Sequence, residues 1–68
     1  MKTTKFLYYV VIQGKYSEYY GYEDLCQYPD TKEGRRDARV DFREYRIDER
    51  EYQHRIIHRR ERNPAYSE

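Results

Sequence analysis

The chain has 68 residues, of which 40% are charged, with a net charge of +1, ten tyrosines, one cysteine and no tryptophan. That length holds one domain with a thin core, because a domain this small buries only roughly 60% of the surface of its unfolded chain. The lone Cys26 excludes an intrachain disulfide, and Cys26, His54 and His58 without a Cys-x-x-Cys pair do not make a zinc site, so no metal and no cofactor are expected.

High charge and low hydropathy are marks of a disordered chain, but here the net charge is near zero and the apolar residues are clustered and periodic, which predicts folding. The longest apolar run, residues 6–12, is too short to span a bilayer and lacks the cleavage site of a signal peptide. An unpaired cysteine suits a reducing cytosol. A cytoplasmic protein with no membrane partner is expected.

Residues 5–13 (KFLYYVVIQ) are β-branched and aromatic and predict the strongest strand. Gly14-Lys15-Tyr16-Ser17 reads as a turn, and residues 18–25 (EYYGYEDL) as its hairpin partner, with Gly21 marking a bulge or close approach. Asp30 with Glu33 three residues on has capping-box spacing and predicts a helix from about Thr31 to Asp48. Residues 52–60 (YQHRIIHRR) predict a third strand, and Asn63-Pro64 opens a flexible tail over residues 63–68. The reading is a single α+β domain over residues 1–62. It is ββαβ, with a three-stranded antiparallel sheet in order 2-1-3 and one helix packed on one face.

At the angular step of a helix, Gly34, Ala38, Phe42 and Tyr45 form a core stripe. Lys32, Arg35, Arg36, Arg39, Arg43, Arg46 and Arg50 fall on one flank, and Glu33, Asp37, Asp41, Glu44 and Asp48 on the other. Val40 and Ile47 lie opposite the core. Several i,i+4 pairs are like-signed, at a cost of about 0.2–0.5 kcal/mol each. A solvated surface explains most such charges, but segregation by sign also fits a flank that meets an oppositely charged partner.

The first strand is apolar on both faces, with Phe6, Tyr8, Val10 and Ile12 on one and Leu7, Tyr9 and Val11 on the other. One helix covers one face, so a tyrosine-bearing face is expected to remain as an interface. The candidate partner-binding residues are Tyr8, Tyr9, Tyr20, Tyr22, Val40 and Ile47. The plain alternative is that loops and tail fold over this face.

No catalytic motif is present. Cys26 with His54 is the one conceivable nucleophile and base, and a small buried hydrophobe is the better reading of that cysteine. The chain is not expected to be an enzyme. Arg39, Arg43, Arg46, Arg55, Arg59 and Arg60, beside a tyrosine-bearing sheet, make nucleic acid the alternative partner.

The segments FLYYVVIQG (6–14), YGYEDL (20–25), ARVDFREYR (38–46) and YQHRIIHRR (52–60) resemble a class of small bacteriophage- and prophage-encoded proteins of undefined activity. That pattern is approximately YVIQG, YGYED, EAR…REYR and RI-x-RR. Gly34 in the first helical turns and Val40-Asp41 depart from it. The resemblance implies an accessory protein that binds and modulates a host protein, including inhibition of a bacterial defence system. A homodimer whose role is assembly is the third expectation.

Overall fold

The computed structural model describes residues 4–66. Its elements are β1 (Phe6–Ser17), β2 (Gly21–Pro29), α1 (Lys32–Asp48) and β3 (Gln53–Arg62). The strands form one sheet in the order β2-β1-β3, with β1 antiparallel to both neighbours. The ββαβ architecture, the sheet order and the helix packed on the sheet are as the sequence predicts.

The central place goes to β1 because it is the most apolar strand, and Val10, Val11 and Ile12 are its most buried side chains. The first hairpin differs from expectation. Gly14 is a buried strand residue rather than a turn residue, and β1 runs on to Ser17. The turn is Glu18-Tyr19-Tyr20, and Gly21 closes it with φ +72°, the left-handed conformation that a three-residue hairpin loop asks of its next residue. A β-carbon on Gly14 would stand 2.9 Å from the Tyr16 ring and 3.0 Å from Leu25 Cδ1. Glycine there leaves room for both side chains to lie over the strand.

The pairing of β1 with β2 slips between Lys15 and Ser17, opposite the adjacent Tyr22 and Gly21, and again between Ile12 and Gln13, where Cys26 and Asp24 are their partners and Leu25 is left over. This bulge carries Leu25 toward Gly14 and sets Asp24 opposite Gln13.

The helix starts one residue later than the Asp30 cap would have it. Thr31 is the N-cap, its backbone extended and its Oγ1 accepting from the Gly34 N–H at 3.0 Å. Asp30 instead takes Arg35 Nη1 at 2.8 Å and His58 Nδ1 at 3.2 Å. Glu33 in the first turn and Arg46 in the last suit the helix dipole. The core stripe is as predicted: Gly34 and Ala38 are buried and Phe42 and Tyr45 half-buried.

The helix covers the face of Val10, Ile12, Gly14 and Tyr16. Tyr28 donates to Asp41, Cys26 Sγ meets Tyr45 Oη at 3.5 Å, and Val10, Ile56 and His58 line a hollow with Ala38. At the far end Tyr16 donates to Glu49. His54 stands against the same carboxylate at 3.0 Å, with its ring stacked on Tyr45 at 5.7 Å between centroids. The tail expected from Asn63 begins with ordered contacts: the Asn63 N–H donates to Lys5 O, and Asn63 Nδ2 to Thr4 O, both at 2.9 Å. Ser67 and Glu68, the end of that tail, lie outside the described residues, as do residues 1–3.

Candidate binding surface between the helix and the third strand

The tyrosines expected on one uncovered face are dispersed. Tyr8 lies on the helix side and is exposed, because its strand position falls beyond the helix start. Tyr20 is in the hairpin turn, where it meets Tyr19 edge-on at 5.1 Å. Tyr9 and Tyr22 do lie on the face turned from the helix, and both are half-buried.

That face is finished by the chain's own polar side chains. Gln13 Nε2 donates to Asp24 Oδ1 at 2.8 Å, and Gln13 Oε1 accepts from Arg55 Nε at 2.7 Å. Arg59 grips Asp24 with both guanidinium nitrogens, at 2.6 and 3.1 Å. The Arg55 guanidinium lies 3.8 Å from the Tyr22 ring centre, and Tyr22 Oη donates to Gln53 at 3.3 Å. Beneath them Val11 is fully buried although no second layer of the described residues covers it. Arg59 first, then Gln13, hold the Asp24 carboxyl down at about 2, well below the usual carboxylate range. Reciprocally, Asp24 raises the Arg59 guanidinium. Arg55 and Arg59 are thus engaged in structure.

On the helix Arg35 is engaged too, by Asp30, but the later arginines are not. Arg39, Arg43 and Arg46 converge with Phe42 and Ile47 on a surface hollow of about 490 Å³. It continues on one side past Arg50, Tyr52 and His54, and on the other past Arg35 and His58 to Val10 and Ile56. The basic flank therefore overhangs β3, and the acidic flank lies over β2, where Asp41, Glu44 and Asp48 surround Cys26 and Tyr45. Among the described residues no carboxylate pairs with Arg39, Arg43, Arg46 or Arg50. Arg46 leans on the Phe42 ring at 5.8 Å. Arg60 is apart from this row, over the Phe6 ring at 4.2 Å. The six arginines expected to act together thus fall into three groups: Arg39, Arg43 and Arg46 on the helix, Arg55 and Arg59 on the opposite face, and Arg60 at the sheet end.

Val40 and Ile47 stand on the outer side of α1, 50% and 66% exposed, as the periodicity predicts. Cys26 and His54 are not partners. The cysteine meets Tyr45 Oη, and that bond together with burial pushes the Tyr45 phenol up to about 12. His54 is engaged by Glu49, whose carboxyl is lowered first by Tyr16 and then by His54. Among the described residues, no three His, Cys, Asp or Glu side chains are grouped to hold a metal ion, and no helix is long and apolar enough to cross a membrane.

The Gln13, Asp24, Arg55 and Arg59 network escapes a sequence reading because the bulge decides which side chains meet. Its one sequence signal is a glutamine ending an otherwise apolar run. Comparison with family models, with curated proteins and with solved structures yields no match.

Proposed function

We propose that this chain is a non-catalytic binding protein that docks on an acidic surface of another protein through the β3 side of α1. The observation that carries the reading is the convergence of Arg39, Arg43 and Arg46 on one hollow with Phe42 and Ile47, with no carboxylate among the described residues to neutralise them. Guanidinium groups grip carboxylates in pairs of hydrogen bonds, and an aromatic floor with an aliphatic lip supplies the dry contact that interfaces place at their centre. A protein partner uses both kinds of group. An extended polyanion has no use for Ile47 or Val40, and would lie within a helix diameter of Asp41, Glu44 and Asp48.

In the setting implied by the phage resemblance, the partner is a host protein in the cytoplasm, and the outcome of binding is modulation, including inhibition of a defence system. Affinity capture from the bacterial host tests this with two baits, the native chain and Arg39→Glu/Arg46→Glu. The expected result is one stoichiometric host protein on the native bait and its loss on the variant. Recovery of nucleic acid alone by the native chain overturns the reading.

A second reading has its own support. Arg39 and Arg43 are spaced four residues apart, about 6 Å along the helix axis, Arg46 follows, and the row passes Phe42 and Tyr52, aromatic groups of the kind that stack bases. Single-stranded nucleic acid bound there would weaken steeply with salt as counterions are released. A filter-binding titration at two salt concentrations decides: no binding at low salt, or binding indifferent to salt, removes this reading.

A further inference from the structure

The outer side of α1 repeats every seven residues. Arg36-Asp37 and Arg43-Glu44 alternate with Val40 and Ile47. At 3.6 residues per turn, Val40 and Ile47 fall within about 20° of one another. Arg36 and Arg43 flank that ridge on one side, and Asp37 and Glu44 on the other. The ridge is bare, with Val40 50% and Ile47 66% exposed. Among the described residues, the side chains of Arg36, Asp37, Arg43 and Glu44 make no hydrogen bond or ion pair. The sheet does not use this pattern, and its cost within the helix is like-signed neighbours such as Arg39 with Arg43.

We infer that a second copy of this chain occupies the ridge, its helix parallel to the first and related to it by a two-fold axis along the pair. Such an axis sets Val40 against Val40 and Ile47 against Ile47. It also brings the basic side of each ridge against the acidic side of the other. Arg43 of one copy then meets Glu44 of the second, one residue or about 1.5 Å of rise away, and Arg36 meets Asp37 in the same manner, each pair occurring twice. An antiparallel pair would set Arg43 on Arg43 and Glu44 on Glu44. The pattern is complementary to itself in one orientation only, which is what a symmetric interface requires. Arg39 and Arg46 point to the side of this seam, whereas Arg43 and Ile47 border both the seam and the hollow, so a second copy on the ridge competes with a partner in the hollow for these two residues.

Two aliphatic residues per copy and exposed ion pairs give a weak, salt-sensitive dimer. Sedimentation equilibrium of the full chain, in a dilution series at low and high salt, tests it. The native chain should show a reversible monomer–dimer equilibrium that weakens with salt. Arg43→Glu and Glu44→Arg should each weaken the dimer about tenfold, because each turns two attractions into repulsions. The double variant R43E/E44R should recover it. Val40→Asp should give monomer with an unchanged circular dichroism spectrum; if that variant unfolds, the charge reversals carry the test. A native chain that stays monomeric at its highest concentration overturns the inference. So does a dimer that ignores both single reversals, as an antiparallel or sheet-mediated dimer would.

Discussion

Gly34 in the first turn of α1 lies against Pro29, so close that a β-carbon on Gly34 would overlap the Pro29 carbonyl oxygen. The same carbonyl accepts the Thr31 N–H at 2.8 Å, which holds the chain as it leaves β2 and enters the helix. A side chain would push the helix start off the strand end. Gly34→Ala should therefore destabilise the fold by about 1–3 kcal/mol through overpacking, even though alanine is favoured over glycine in a helix by about 1 kcal/mol. Urea denaturation measures this. A stabilised variant would mean that the helix start has room to move.

The helix start offers a second test, since two adjacent residues compete for the capping role. Thr31 accepts the Gly34 N–H, whereas Asp30 binds Arg35 and His58. Thr31→Ala should cost about 1 kcal/mol. Asp30→Ala should cost less, because it removes exposed pairs, and Arg35 first and His58 second are what lower its carboxyl. Denaturation of the two single variants checks the order, and the reverse order would restore Asp30 as the cap.

Much of the fold is legible in the sequence. β1 is centred by its run of β-branched and aromatic residues, and the helix by Gly34, Ala38, Phe42 and Tyr45. Gly14 and Gly21 are each compatible with a turn, and only the space needed by Tyr16 and Leu25 puts Gly14 inside the strand. The binding surface was half legible. The exposure of Val40 and Ile47 follows from periodicity. The tyrosine face does not, because the bulge at Leu25 and the long reach of Arg55 and Arg59 decide what covers Val11.

The end of the helix is locked to the hairpin and to β3 through one carboxylate. Tyr16 donates to Glu49, and His54 stands 3.0 Å from the same Oε1. Burial first, then the bond to Glu49, pushes the Tyr16 phenol well above its ordinary range. Tyr16→Phe should cost about 1.5–3 kcal/mol, the worth of a hydrogen bond to a charged group. Glu49→Ala should destabilise further, because it leaves both Tyr16 and His54 without their partner, and the His54 side chain has no exposure to water. Thermal melts of the two variants give the comparison. Equal effects would show that His54 draws nothing from Glu49.

Acid should act through Asp24. Its carboxyl titrates at about 2 in the fold against about 3.9 in an unfolded chain. A depressed folded pKa contributes stability that is fully present above the unfolded value and is lost as pH falls toward the folded one. The native chain should therefore lose stability progressively from about pH 4 down to pH 2, by an amount reduced by the solvent exposure of Asp24. Asp24→Asn should be less stable at neutral pH and show a flatter profile across this window. Melting temperatures at pH 2 to 7 measure both, and identical slopes for the two proteins would detach Asp24 from acid unfolding.

The last prediction compares two valines that a count of covering layers would treat alike. Val11 lies on the sheet face turned from the helix and Val40 on the helix face turned from the sheet, so among the described residues neither has a second layer over it. Val11 is nevertheless 0% exposed, whereas Val40 is 50% exposed. The difference lies in the neighbours. Val11 sits in the middle strand, paired with Gln27 on one side and Ile57 on the other, and Gln13, Asp24, Arg55 and Arg59 are locked together beside it. Long polar side chains held by hydrogen bonds exclude water as an apolar layer would, and their stems supply the contact. Val11→Ala should therefore cost about 2 kcal/mol, the price of a buried methyl pair and the cavity it leaves. Val40→Ala should change stability by no more than about 0.5 kcal/mol. Asp24→Ala should then couple to Val11→Ala, because releasing Arg59 opens the cover over Val11. A double-mutant cycle by urea denaturation reads that coupling. Simple additivity would mean that Val11 is covered by its strand neighbours alone and that the polar lattice lies on the surface without sealing it.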